Sequence, residues 1–303
     1  MDRKKFLKRS LLGAAGMFAG NTLVKAEEAK TKVSTFDKLI EQVGFNHLPN
    51  EVVERDSNHL NQKVMGKSVL HKATTRGRAN HGWLDSHHSF SFANYHNPER
   101  MNFGVIRVLN DDVVAGGKGF GRHPHDNMEI ISIPLAGGLE HKDSMGNVAV
   151  IKAGDVQAMS AGTGIFHSEY NQNEGEEVRF LQIWLFPNKK NVEPRYDQIT
   201  LASQASKNKF QQILSPDQGD EGVWIHQNAW FQMGNFSAGH QERYQIKAKN
   251  NGVYAFILEG EVTINGQKLS KRDGYGLWEL ETIEVIADSD AKVLLMDVPM
   301  NLS

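Results

Sequence analysis

The chain has 303 residues, 39% of them hydrophobic, with 28 glycines and 8 prolines, ordinary globular material for two modest domains or one large one. Its net charge of −2 provides no positive field to attract nucleic acid. The absence of cysteine excludes thiolate metal sites, disulfides and cysteine nucleophiles together.

Residues 1–26 have the layout of an export signal. Arg3, Lys4, Lys5, Lys8 and Arg9 form a basic head, residues 11–24 a mild apolar run, and Val24-Lys25-Ala26 small residues before a charged stretch. The apolar run is too short to span a bilayer comfortably. Arg3-Lys4-Lys5-Phe6-Leu7-Lys8 resembles the twin-arginine export motif, with Lys4 in place of the second arginine. The general secretory route and an uncleaved anchor stay open as alternatives. The mature chain is expected to begin near Glu27 and to reside in the periplasm, with no membrane span after cleavage; a non-functional signal would leave it cytoplasmic. Residues 27–67 form a polar N-terminal extension in which Asp37-Lys38-Leu39-Ile40-Glu41-Gln42-Val43 could make a short helix.

From residue 68 onward, short alternating runs are separated by glycine-rich or Asn/Asp turns, which predicts an all-β sandwich or barrel. One hairpin unit runs through residues 130–138, Glu140-His141-Lys142, the turn Asp143-Ser144-Met145-Gly146-Asn147, and Ala153-Gly154-Asp155. A similar unit follows about 123 residues later, through residues 253–260, Glu261-Val262-Thr263-Ile264 and the Asn265-Gly266 turn. That spacing is the size of one compact β-domain. The expected organisation is a first domain over 68–187, a linker over 188–204 and a second domain over 205–303.

The chemistry-bearing residues lie in the first domain. Side chains two apart in a strand share a face. His123 and His125, in Gly121-Arg122-His123-Pro124-His125, can therefore grip one ion, and His167 and Glu169, in Phe166-His167-Ser168-Glu169, can do the same. Three imidazoles and a carboxylate suit a first-row transition metal with open positions; zinc, copper, nickel, cobalt, manganese and iron all accept such donors. The matching segment of the second domain carries a lone His240 beside Gln241 and Glu242, read as a solvated surface residue.

Other prominent residues have structural readings. Trp83, Phe90, Phe92 and Tyr95 are expected to line one sheet face as an aromatic core. His81, His87, His88 and His96 are expected to make structural hydrogen bonds, and His141 to lie on the surface. Asp111-Asp112 could pair with Arg107. Lys189-Lys190, Lys247 and Lys249 are read as solvated charge.

The spacing from Gly117 through His123, His125 and Glu129 resembles the first cupin motif, and that from Gly154 through Gly162, His167 and Asn171 the second. Ser160 stands where a proline is usual, and two residues are inserted before the third histidine. Ala79-Asn80-His81-Gly82-Trp83-Leu84-Asp85-Ser86-His87-His88, Arg107-Val108-Leu109-Asn110-Asp111-Asp112 and Met159-Ser160-Ala161-Gly162-Thr163-Gly164 resemble pirin, the bicupin family. The resemblance covers roughly residues 74–299. It implies two tandem jelly-roll barrels of which the N-terminal one holds a metal, usually iron. It also implies His123, His125, His167 and Glu169 as ligands. Glu129, the ligand glutamate of the general cupin pattern, ranks behind Glu169 as an outer or alternative ligand.

Bacterial pirins resemble quercetin 2,3-dioxygenases, which use oxygen to open a flavonol heterocycle. The resemblance thus implies a small aromatic substrate and O2 as partners, with Glu169 as general base. A monomer is expected. A non-catalytic iron sensor and another cupin oxidation or isomerisation are the alternatives, since function lives in the pocket and not the scaffold.

Overall fold

The computed structural model describes residues 66–201 and 207–302. The export signal, the short helix expected over 37–43 and all but the end of the 27–67 extension lie outside the described residues. In chain order the strands are β1 Lys67–His71, β2 Gly77–Asn80, β3 Leu84–His88, β4 Ile106–Val114, β5 Gly119–His125, β6 Glu129–Ala136, β7 Gly138–Asp143 and β8 Val148–Lys152. They continue as β9 Asp155–Ser160, β10 Ile165–Asn171, β11 Val178–Leu185, β12 Arg195–Thr200, β13 Phe210–Ser215, β14 Val223–Trp224 and β15 Trp230–Phe236. The last seven are β16 Gln241–Gln245, β17 Asn251–Glu259, β18 Glu261–Ile264, β19 Gln267–Ser270, β20 Gly274–Trp278, β21 Thr282–Ala287 and β22 Ala291–Pro299.

These strands build two tandem cupin barrels, as expected. The first joins a seven-stranded sheet, β12-β9-β6-β11-β4-β3-β2, to a four-stranded one, β5-β10-β7-β8. The second joins β1-β20-β17-β22-β15-β13-β14 to β16-β21-β18-β19. The Asn265-Gly266 pair forms the two-residue turn between β18 and β19, with φ of 45° and 80°. Both residues thus lie in the left-handed region that this hairpin turn requires.

Two strands depart from the expected boundaries. Residues 68–71, read as the start of the first domain, belong to β1, which pairs antiparallel with β20 of the second barrel. Residues 195–200, read as linker, form β12 and pair with β9 at the edge of the first barrel. Each long sheet takes an edge strand from outside its expected segment. Local alternation cannot say which sheet a strand joins.

The long strands are buried on both faces, which explains near-continuous apolar runs such as Val178-Arg179-Phe180-Leu181-Gln182-Ile183-Trp184-Leu185. On β6 and β11, Ile131, Ile133, Leu181, Ile183 and Leu185 enter a large core shared with the second barrel. Tyr254, Phe256, Leu258, Leu294 and Met296 meet them from β17 and β22. The alternate residues Ile130, Phe180 and Trp184 turn into the first barrel's interior. The second barrel is filled by Val253, Ala255, Ile257, Val293 and Leu295 together with Tyr244, Val262 and Ile283.

Polar residues on the shared side are paired across the interface. Asp111 does not pair with Arg107, as the sequence suggested. Its Oδ2 accepts from Arg76 Nη1 at 3.1 Å and from Arg272 Nε, on the second barrel, at 2.9 Å. Arg107 instead donates to the carbonyls of Ser91 and Met101. Asp112, one residue on, faces the opposite way and accepts from the Ser86 hydroxyl. Removing one partner of a buried ion pair costs about 3–5 kcal/mol. Asp111→Ala is therefore expected to lower stability by roughly 3 kcal/mol in urea denaturation. Removing the exposed Lys67–Glu279 pair should cost less than about 1 kcal/mol.

Glu129 also lies on the shared side of β6. Burial pushes its carboxyl up to about 7, against the opposing effects of the Ser160 hydroxyl, the His226 backbone and Arg195. A carboxyl raised in the folded state contributes stability below its unfolded value, and that contribution is lost as pH rises through the folded one. Glu129→Gln should therefore gain on the parent chain between pH 5 and pH 8, read as the difference in urea midpoints. A constant difference would show that Glu129 does not titrate with folding.

Candidate metal centre

The three imidazoles are brought together by the pairing of β5 with β10. His123 stands opposite His167, and His125 opposite Ile165. Pro124, which lacks an N–H, is tolerated between the two histidines because β5 is an edge strand. Ring centroids are 4.9 Å apart for His123–His125, 4.3 Å for His123–His167 and 4.9 Å for His125–His167. Their ligand nitrogens lie within 4.8 Å of one another.

The donor set fits a cation. His123 Nδ1 lies 2.7 Å from the Gly121 carbonyl, so Nδ1–H donates there and Nε2 keeps its lone pair. His125 Nε2 and both nitrogens of His167 are buried with no hydrogen-bond partner in the protein. Each such group costs about 1–3 kcal/mol unless something satisfies it. Burial, then the neighbouring His167 and His123, holds His125 well below the usual imidazole range. Burial, then His123 and His141, pushes His167 down to about 2. Both are thus neutral near pH 7, the protonation state that metal ligation needs.

Glu169 lies two residues beyond His167, across a β-bulge, and is 2% exposed. Gln182 Nε2 donates to both its oxygens, at 3.2 and 3.0 Å. The Ser132 hydroxyl lies 2.7 Å from Gln182 Oε1 and 3.3 Å from Glu169 Oε1, and gives its one proton to the nearer acceptor. Glu169 groups with His141 and His167 within 4.8 Å, and the histidine pair of β5 groups with His167. His167 is common to both sets.

His141 is a correction to the sequence reading. It is fully buried, not on the surface, and sits directly across from Glu169 in the β10–β7 pairing. Its ring packs against His167 and Tyr196, at centroid distances of 5.3 and 4.8 Å. Its Nε2 is 3.3 Å from Asp143 Oδ2, and its Nδ1 has no partner. Burial raises Asp143, but hydrogen bonds from Asn147, His141 and Met145 outweigh it and hold the carboxyl below the usual range. The signal was present in Leu139-Glu140-His141-Lys142-Asp143. Buried Leu139 marks the inward face, which His141 and Asp143 share, while Glu140 and Lys142 pair outside. Gln182 and Ser132 were also missed, although each is a polar residue inside a buried apolar strand.

Glu129 joins neither metal-competent group among the described residues. Its position on β6 has the parity of Ile131 and Ile133, so it faces the other barrel and accepts from Ser160 Oγ at 2.7 Å. The four aromatics do not share one face. Phe90 enters the shared core, Phe92 meets Trp184 edge-on, Trp83 meets Phe120 and Tyr95 stacks on His88. His88 hydrogen-bonds Asn110 at 2.9 Å. His240 stacks on Phe236 beside Glu242 and belongs to no metal-competent group among the described residues.

Residues 70–185 match the pirin family, and residues 212–298 match the quercetinase C-terminal cupin domain. The chain is 46% identical over 230 residues to a quercetin 2,3-dioxygenase of Escherichia coli K12, covering 76% of this chain and 98% of that protein. It is 38% identical over 222 residues to a pirin-like protein of Caulobacter vibrioides, covering 73% and 95%. The crystal structure of the Escherichia coli pirin YhhW in complex with nickel(II) superposes with a TM-score of 0.73 at 46% identity, covering 77% of this chain and 100% of that one. The chain belongs to the pirin family.

Proposed function

We propose that this chain is a metal-dependent dioxygenase of the pirin type, opening the heterocycle of a flavonol such as quercetin, or a related aromatic enol, with O2. The observation that carries the reading is the convergence of buried, unpartnered imidazole nitrogens beside a held carboxylate. The Escherichia coli quercetin 2,3-dioxygenase, similar across nearly its whole length, supports the choice of reaction. His123, His125, His167 and Glu169 are the residues assigned to hold one divalent transition metal. Iron is the assignment by family resemblance, and the nickel complex of YhhW shows that a relative accepts another ion. When bound, the cation would supply Lewis acidity that lowers the pKa of the flavonol 3-hydroxyl.

The protein's own groups then have separate tasks. Glu169 takes the 3-hydroxyl proton on a carboxylate oxygen, as general base. Gln182 fixes that carboxylate by donating to both oxygens, which sets its direction before substrate arrives. Met128, Ile130, Met159, Ile165 and Trp184, with Phe92, form an apolar wall beside the histidines. Trp184 lies edge-on to His125 at 4.8 Å, where a flat aromatic substrate is held and water excluded. We also assign the mature chain to the periplasm, on the basic head and apolar run of residues 1–26. Recovery from the cytoplasmic fraction alone would refute that assignment.

Iron-loaded protein beginning at residue 27 is expected to bleach quercetin with matching oxygen uptake, and His123→Ala to lose both. If metal is bound and quercetin and oxygen remain unconsumed, the dioxygenase reading fails. Gln182→Leu removes the N–H that fixes Glu169. Loss of such an outer partner typically costs 10–100-fold in affinity or activity, so metal affinity in chelator competition should fall by about that factor. Unchanged affinity would show that Glu169 is positioned without Gln182.

A further inference from the structure

His141 has no part in the proposed chemistry. His141 is fully buried, and its Nδ1 has no hydrogen-bond partner in the protein. Its other nitrogen faces Asp143 Oδ2 at 3.3 Å. Asp143 is itself fixed, accepting from Met145 N at 2.9 Å, Asn147 N at 3.0 Å and Asn147 Nδ2 at 2.8 Å. A carboxylate that accepts one imidazole N–H sets the tautomer and leaves the opposite nitrogen as a lone-pair donor, the arrangement found behind metal-bound histidines. A histidine serving only to fill the core would have no need of this support or of a bare Nδ1.

We propose that His141, His167 and Glu169 form a second, inner coordination position for the divalent cation, overlapping the outer position assigned above to His123, His125, His167 and Glu169. The inference rests on the metal-binding reading above and adds His141 to it as a further donor. The inner set is two imidazoles and one carboxylate, the donor set of non-haem iron(II) oxygenases. The outer position shares His167 and Glu169 with it and differs in taking His123 and His125 in place of His141. His167 belongs to both sets, and a neutral imidazole has one lone-pair nitrogen, so the two positions hold one ion between them and not two. Gln182 and Ser132 contact Glu169 from the side chains of β11 and β6, while His141 comes from β7.

The test uses Co2+ as a visible-spectrum probe, with binding stoichiometry and affinity as readouts and circular dichroism as the folding control. The protein from residue 27 should take up one equivalent. His123→Ala with His125→Ala removes the outer pair. That variant should still bind one equivalent with an altered spectrum, weakened by more than about a hundredfold, the upper end of what losing an outer-shell partner costs. Adding His141→Phe should then abolish binding. A folded outer-pair variant that binds no Co2+, or one whose affinity is unchanged by His141→Phe, overturns the inner position and leaves the outer site standing. If the parent chain binds no Co2+, the metal reading falls and the inner position with it.

Discussion

The constraint on which the rest depends is the burial of both faces of the two seven-stranded sheets. Strand side chains alternate with a period of two, so a slip of one residue exchanges the faces completely. In β6 and β11 such a slip would carry Ser132 and Gln182 into the shared core and turn isoleucines 131 and 183 onto Glu169. Both errors would bury polar groups without partners. The register that seals the two barrels together is therefore the same register that holds Glu169 by its amide donor.

The barrels share an architecture and differ in what fills them. The second is filled largely by apolar side chains, including Val262, Ile283 and Leu295, and its buried Asp297 is satisfied by Tyr244, Asn251 and the Lys247 backbone. The first has two apolar clusters, one around Trp184 and one around Phe180, with a polar belt between. Most of that belt satisfies itself, through Ser86 with Asp112, His88 with Asn110, and Ser132 with Gln182 and Glu169. Its unpartnered members include His125, His141 and His167, all in the two metal-competent groups. Leaving several such nitrogens bare costs several kcal/mol, at about 1–3 each, which a protein tolerates where a ligand supplies what the fold withholds.

Much of this was legible in the residues. His-x-His and His-x-Glu each follow the strand period, and the structure places the three histidines against one another through a single strand pairing. The Asn265-Gly266 turn was readable because its backbone angles admit few residues. The unread features depended on tertiary context. The Lys67–His71 strand has the same local pattern whichever barrel receives it. Glu129 and Glu169 are both carboxylates near a histidine motif, and only the parity of β6 sends Glu129 toward the other barrel. His141 was readable in principle, from Leu139 two residues earlier, but a charged neighbour on each side disguised an inward face.

The proposed ligands are graded from edge to interior, and that grading would bear on how an ion enters and leaves. His123 and His125 lie on β5, the outermost strand of its sheet, and are partly exposed. His167 and Glu169 lie on β10, paired on both sides, and His141 on β7, also paired on both sides. An edge strand opens at lower free energy than one hydrogen-bonded to two neighbours. Under the proposed assignment, exchange with water would begin at the two β5 histidines, with Glu169 held in the interior. The carboxylate of the proposed set is thus placed on a strand hydrogen-bonded on both sides, and two of its imidazoles on the edge strand, partly exposed to solvent.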